Sequence, residues 1–206
     1  MPAECAVFRN GFTTMTALIL GLIVFLGVHS LRVSGEALRT ALMQRLGENG
    51  YKGLYSLAAG VGLALIIWGY SVARLSPVPL WTPMVWPRHL AALLTLVAFI
   101  LLAAAYVPGN GIKARLHHPM VLSIKTWALA HLLANHTLAD ALLFGGFLVW
   151  AALSFRAARA RDRATGTVYA SGTLAMTLLT VVVGTVAWAG FALWLHRAWL
   201  GVAPLG

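Results

Sequence analysis

Apolar runs long enough to cross a bilayer follow one another along this chain, and that succession limits its fold more than any other feature. A hydrocarbon layer of roughly 30 Å asks for about 17–25 apolar residues per helix. Backbone groups without water must also find their hydrogen bonds inside their own segment. The runs are Thr14–Leu31, Leu54–Leu75, His89–Val107, Pro119–Ala134, Leu138–Phe155 and Thr173–Leu195, the fourth slightly short. Hydrophobic residues make up 60% of the chain and charged residues 10%, whereas roughly a quarter of an ordinary soluble domain is charged. The expectation is an all-α polytopic membrane protein, a bundle of about six transmembrane helices with the lipid bilayer as its first partner. Residues 1–13 read as a disordered leader and 14–200 as a single helical domain, with Met15 as an alternative start.

The net charge of +10 does not point to nucleic acid, because the basic residues sit in short connections between apolar runs. They act instead as topology determinants. Arg32, Arg39, Arg45, Lys52, Lys113, Arg115, Lys125, Arg156, Arg159, Arg161 and Arg163 belong to the first, third and fifth connections and their flanks. Only Arg9, Arg74, Arg88 and Arg197 fall on the other side. The positive-inside rule places the odd connections in the cytoplasm and both termini outside. The lone Cys5 excludes an intramolecular disulfide and a cysteine-rich metal cage. In the first connection Val33, Leu38, Leu42, Met43 and Leu46 recur near helical spacing. This describes either a short helix on the membrane face or a continuation of the first helix into water. Gly60, Gly62, Gly145, Gly146 and Gly184 are positions where helix backbones can approach closely.

Chemistry has to come from the histidines. There is no HExxH, no CxxC, no phosphate loop and no intramembrane pair of carboxylates, so proteolysis, phosphoryl transfer and carboxylate proton pumping lack their parts. In the stretch 116–150, Lys125 reads as a snorkelling boundary residue. Thr137 and Asp140 read as a capping box after a helix end at Asn135. His117 and His118 read as solvated surface and helix-start residues, with Pro119 as the first helical residue. His89 and His196 lie at outer helix ends and His136 in a hairpin turn. His29 satisfies itself most simply by bonding Ser30 or a headgroup. His131 shares a helical stripe with Ile124, Trp127 and Asn135. At that depth it needs a partner, and a hydrogen bond or a metal would serve equally. A zinc site would want three or four convergent ligands. Two histidines on different helices, without acids, suit haem iron better.

One ordered set of motifs is more specific: FLGVHSLR, then GYKGLYSLAAGVGLALIIWGY, then HHPMVLSIKTWALAHLLANHTLADALLFGGFLVWA. From Met15 onward the chain resembles the NnrU family of polytopic membrane proteins linked to denitrification and nitric-oxide metabolism, which is related to the haem-containing 15-cis-zeta-carotene isomerase. The resemblance implies haem b held by His29 and His131, with Trp127 packed beside it, and redox or nitrogen-oxide chemistry. A lipid-soluble small molecule or a redox protein would be the partner. It also implies two alternatives: haem-dependent cis–trans isomerisation of a carotenoid-like polyene, or a cofactor-free partner in assembly or regulation. The isomerase's ligand-switching cysteine falls at Ala128 here, which removes that route, and the family's glycine after Asn135 is His136. On depth, His131 lies about 18 Å along its helix from Pro119 and His29 about 5 Å from the boundary at Arg32. The two reach one iron if the boundary on the His131 helix lies nearer Lys125, which has to snorkel to a surface, or if the first helix reaches further inward. On position alone His89 is a rival to His29 as the second ligand.

Overall fold

The computed structural model describes residues 2–205 apart from Pro83 and Val85, with side chains from Met15 onward. Met1 and the side chains of the leader lie outside the described residues, and so does the environment of Cys5. The described residues form helices joined by turns, with isolated bridges and no strand. In chain order they are α1 (Pro2–Ser34), α2 (Glu36–Ala73), α3 (Trp86–Tyr106), α4 (Gly111–Leu116), α5 (Pro119–Ala134), α6 (Leu138–Thr165), α7 (Leu174–Gly190) and α8 (His196–Leu200). A π-helical turn, Phe191–Leu195, carries α7 into α8. By length and composition five segments can cross a membrane: Met15–Ser34, α2, α3, α6 and Leu174–Leu200. The sixth apolar helix, α5, has 16 residues, about 24 Å at 1.5 Å per residue and so short of a bilayer core. This is an all-α, multi-pass membrane protein.

Several ends differ from the sequence reading. α6 runs to Thr165, ten residues beyond the apolar run that ends at Phe155, because RAARARDRAT is rich in strong helix formers although it carries no apolar signal. α2 takes in the first connection, and its only non-helical residue is Gly47 (φ 70°, ψ 169°). A short helical arm therefore precedes the spanning part, with Leu38 and Leu46 exposed on it. The third connection holds a further helix, α4. Asn110 caps it, its Oδ1 accepting from the Lys113 amide at 2.8 Å.

The chain divides into two compact units, Met1–Trp81 with His136–Gly146, and Thr82–Asn135 with Phe147–Gly206. In the first, α1 packs on α2 with almost no side chain between them. A Cβ on Gly62 would stand 2.7 Å from the Phe25 amide nitrogen, and one on Gly69 2.5 Å from that of Leu18. Leu18 is fully buried at that contact. The turn before α6 closes as expected. Asp140 Oδ2 accepts from the Thr137 amide at 3.0 Å and from its hydroxyl at 2.6 Å, and Thr137 Oγ1 accepts from the Asp140 amide. Tyr70 donates to the other Asp140 oxygen at 2.6 Å. Backbone bonds from Leu80 to His136 and from Leu138 to Val78 fasten the turn to the chain after α2. Asp140 is 6% exposed and its oxygens are occupied by a cap and a tyrosine, a structural role.

In the second unit α3 lies between α5 and α7. Ser123 of α5 donates to the Ala98 carbonyl at 2.7 Å, and Trp188 of α7 to the Thr95 hydroxyl at 3.1 Å. A Cβ on Gly184 would come 2.5 Å from the Ile100 Cα. Among the expected close-approach glycines, Gly62 and Gly184 hold. Gly60 and Gly145 face open space, and Gly146 makes only ordinary contact. Asn135 ends α5 in extended and not left-handed backbone (φ −112°, ψ 156°).

Candidate functional site

His29 lies near the end of α1 in the first unit, half-buried. Its Nδ1 is 2.6 Å from the Phe25 carbonyl oxygen, one turn back. A carbonyl has no proton to give, so Nδ1 is the donor, and in the neutral ring the lone pair resides on Nε2. The ring lies 4.3 Å from that of Phe25 and 5.4 Å from that of Tyr55 of α2. The Ser30 hydroxyl donates to the Leu26 carbonyl at 2.7 Å.

His131 lies in the last turn of α5 in the second unit and repeats this arrangement. Nδ1 donates to the Trp127 carbonyl at 2.9 Å, again one turn back, which directs the Nε2 lone pair away from its own backbone. The Trp127 ring is 5.1 Å from the imidazole and meets Phe147 edge-on at 5.7 Å. Ile124, Trp127, His131 and Asn135 are all half-buried, as one stripe requires. Asn135 donates from Nδ2 to the His131 carbonyl at 2.9 Å. Ala128, where a cysteine would place a thiolate, is fully buried.

The pattern of an Nδ1–H fixed on a carbonyl is how metal-binding histidines are held, because it sets tautomer and ring orientation together. Both histidines therefore offer donors of the kind haem iron takes. Among the described residues no three His, Cys, Asp or Glu side chains converge as a closed metal cage would need. Haem asks less of the protein, since its porphyrin supplies the remaining ligands. His89, the rival, is exposed in the first turn of α3. His196 makes the same kind of bond, from Nδ1 to the Val202 carbonyl at 2.7 Å, but that bond is solvent-exposed, at the start of α8.

His117 and His118 are not solvated, and the sequence reading is corrected here. His118 Nε2 is 2.8 Å from Asp162 Oδ2, and Tyr169 donates to both Asp162 oxygens at 3.3 and 3.2 Å. The His117 ring stacks on Tyr169 at 4.1 Å and meets Arg159 through Nδ1. The histidine side chains keep only 24% and 23% exposure. His117 has φ 71°, and it alone among the described non-glycine residues has a positive value. With the His118 amide bonded to the Leu116 carbonyl at 3.0 Å, it centres a tight three-residue turn of a rare and strained kind. Burial, and then the Asp162 carboxylate, push the Tyr169 phenol above its ordinary value. The sequence held no local signal for this group, since Asp162 lies 44 residues from His118. His118 does take the position before the first helical residue, Pro119, as expected.

No curated protein and no solved structure matches the chain. The sequence model of the family described as NnrU protein matches residues 17–204. That match takes in nearly every helix described above, and the chain belongs to the NnrU family.

Proposed function

We propose that this NnrU-family chain is a haem b protein of a bacterial inner membrane, with both termini periplasmic, serving redox or nitrogen-oxide metabolism. His29 and His131 are its candidate iron ligands, with Trp127 packed against the second. One observation carries the reading: each histidine fixes its Nδ1 proton on the carbonyl one turn back, at 2.6 and 2.9 Å, which leaves Nε2 as the ring's donor atom. Haem bound there would supply reversible one-electron chemistry, and affinity for a small nitrogen oxide where one imidazole gives way. The chain's part is to present imidazoles of set tautomer beside aromatic rings. Phe25 and Tyr55 flank one ring, and Trp127 flanks the other.

Protein purified from haem-replete cells should show a Soret band with the low-spin visible bands of bis-histidine haem b. Folded, colourless protein would overturn the reading and favour a cofactor-free partner in assembly or regulation. Ala128 offers no thiolate, so haem-loaded protein given a cis-carotenoid should leave it unconverted.

A further inference from the structure

Beside His29 the first unit holds a cavity of about 220 Å³. Arg32, Arg39 and Lys52 line it with the phenols of Tyr51 and Tyr55, and His29 itself forms part of its wall. Ordinary ligand pockets enclose roughly 300–1,000 Å³. This one is too small for the body of a prosthetic group and suits a charged arm. Its lining is cationic and rich in hydrogen-bond donors. Among the described residues two acids pair with this lining from the surface: Glu36 with Arg39 at 2.7 Å and Glu48 with Lys52 at 2.6 Å. Both carboxylates and the Lys52 side chain are more than 60% exposed, while Arg39 keeps 32%. Exposed pairs of this spacing are weak, so an anion entering the cavity can draw both cations away from them. The Arg39 guanidinium already lies 6.0 Å over the Tyr51 ring.

We infer that this cavity is a carboxylate clamp for the propionate edge of haem, with Arg32, Arg39 and Lys52 as the cations and Tyr51 and Tyr55 as neutral donors. The inference rests on the haem reading above and adds where the charged edge goes. A haem in a membrane carries two carboxylates that are expensive to place in hydrocarbon unpaired. They belong at the polar end of a helix, against cations, next to a ligating histidine. A phospholipid headgroup would find the same cations but has no use for the imidazole in the wall.

The test uses full-length protein in detergent, titrated with haem b and with its dimethyl ester, whose propionates are uncharged. Binding is read from the Soret band. Arg32→Gln with Arg39→Gln should weaken haem b binding about tenfold or more, the scale of losing charge-assisted hydrogen bonds. Arg39→Lys on the Arg32→Gln background should recover part of it. The ester should bind wild type and the double variant alike, and more weakly than wild type binds haem b. Equal weakening of both ligands, with a lowered melting temperature, would show that the arginines only hold the fold. Unchanged haem b affinity alongside less co-purifying anionic phospholipid would make the cavity a headgroup site. Either result overturns the clamp and leaves the haem reading standing. Absence of a Soret band with both ligands in wild type removes the haem reading, and the clamp with it.

Discussion

Two basic ends of helices carry histidines in this protein, and they are finished differently. At His117 and His118 the charges close on one another: Asp162 receives His118 and Tyr169, Arg159 meets His117, and an aromatic ring covers the group. At His29 Arg39 and Lys52 line a cavity while each pairs with a glutamate on the exposed surface, Lys52 being as exposed as its partner. A polar cluster that satisfies itself fixes the chain in place, whereas cations held by exposed carboxylates can exchange them for another anion at little cost. Counting histidines does not separate these cases; the location of the counter-charge does.

The largest effect that would break this comparison is on the haem we propose. His131→Ala and His29→Ala should each abolish the bis-histidine spectrum, while His118→Ala should keep it. If His118→Ala lost the Soret band, the self-satisfied cluster would be part of the cofactor site after all. Next comes the packing that positions His29. Gly69→Ala sets a methyl carbon 2.5 Å from the Leu18 amide nitrogen and should cost about 1–3 kcal/mol by overpacking, read as a lower thermal midpoint. Smaller is Asp162→Asn, which removes the shared counter-charge of His118 and Arg159. It should lower the midpoint measurably without altering haem content. The smallest is Tyr169→Phe. The raised phenol pKa means that its bonds to Asp162 persist through neutral pH and are lost only as pH rises through the raised value. The variant should therefore be slightly less stable at pH 7 and lose less stability on going to strongly alkaline pH. An identical alkaline profile in wild type and variant would remove Tyr169 from the cluster.

Where a local rule decided the structure, the sequence was readable. α5 runs from Pro119 to Ala134 as its proline start predicts, the Thr137–Asp140 box caps α6, and the stripe through Trp127 and His131 is real. Hydropathy could not follow the Arg- and Ala-rich tail of α6, where helix propensity alone carries the chain. Nor could it find Gly69, whose importance lies in a backbone on another helix. The candidate ligands were legible as types, one by helical stripe and both by family resemblance. Their tautomers were not, because these depend on ring orientations that no spacing encodes. The cations of the proposed clamp were visible as positive-inside charges, and Tyr51 and Tyr55 only as letters of the family motif. Their gathering beside His29 needs α1 and α2 to fold back on each other.

Gly47 gives that gathering its geometry. Its φ of 70° with ψ of 169° lies in a region essentially closed to any residue with a Cβ. Arg39 stands before this residue in the chain and Lys52 after it, so the reach from one cation to the other is governed by a single pair of backbone angles. A side chain at position 47 would act as a lever: it would touch no ligand, yet it would swing the arm bearing Arg39 and change the width of the opening. Specificity for the length of a charged arm would then be written in a residue that has no side chain at all.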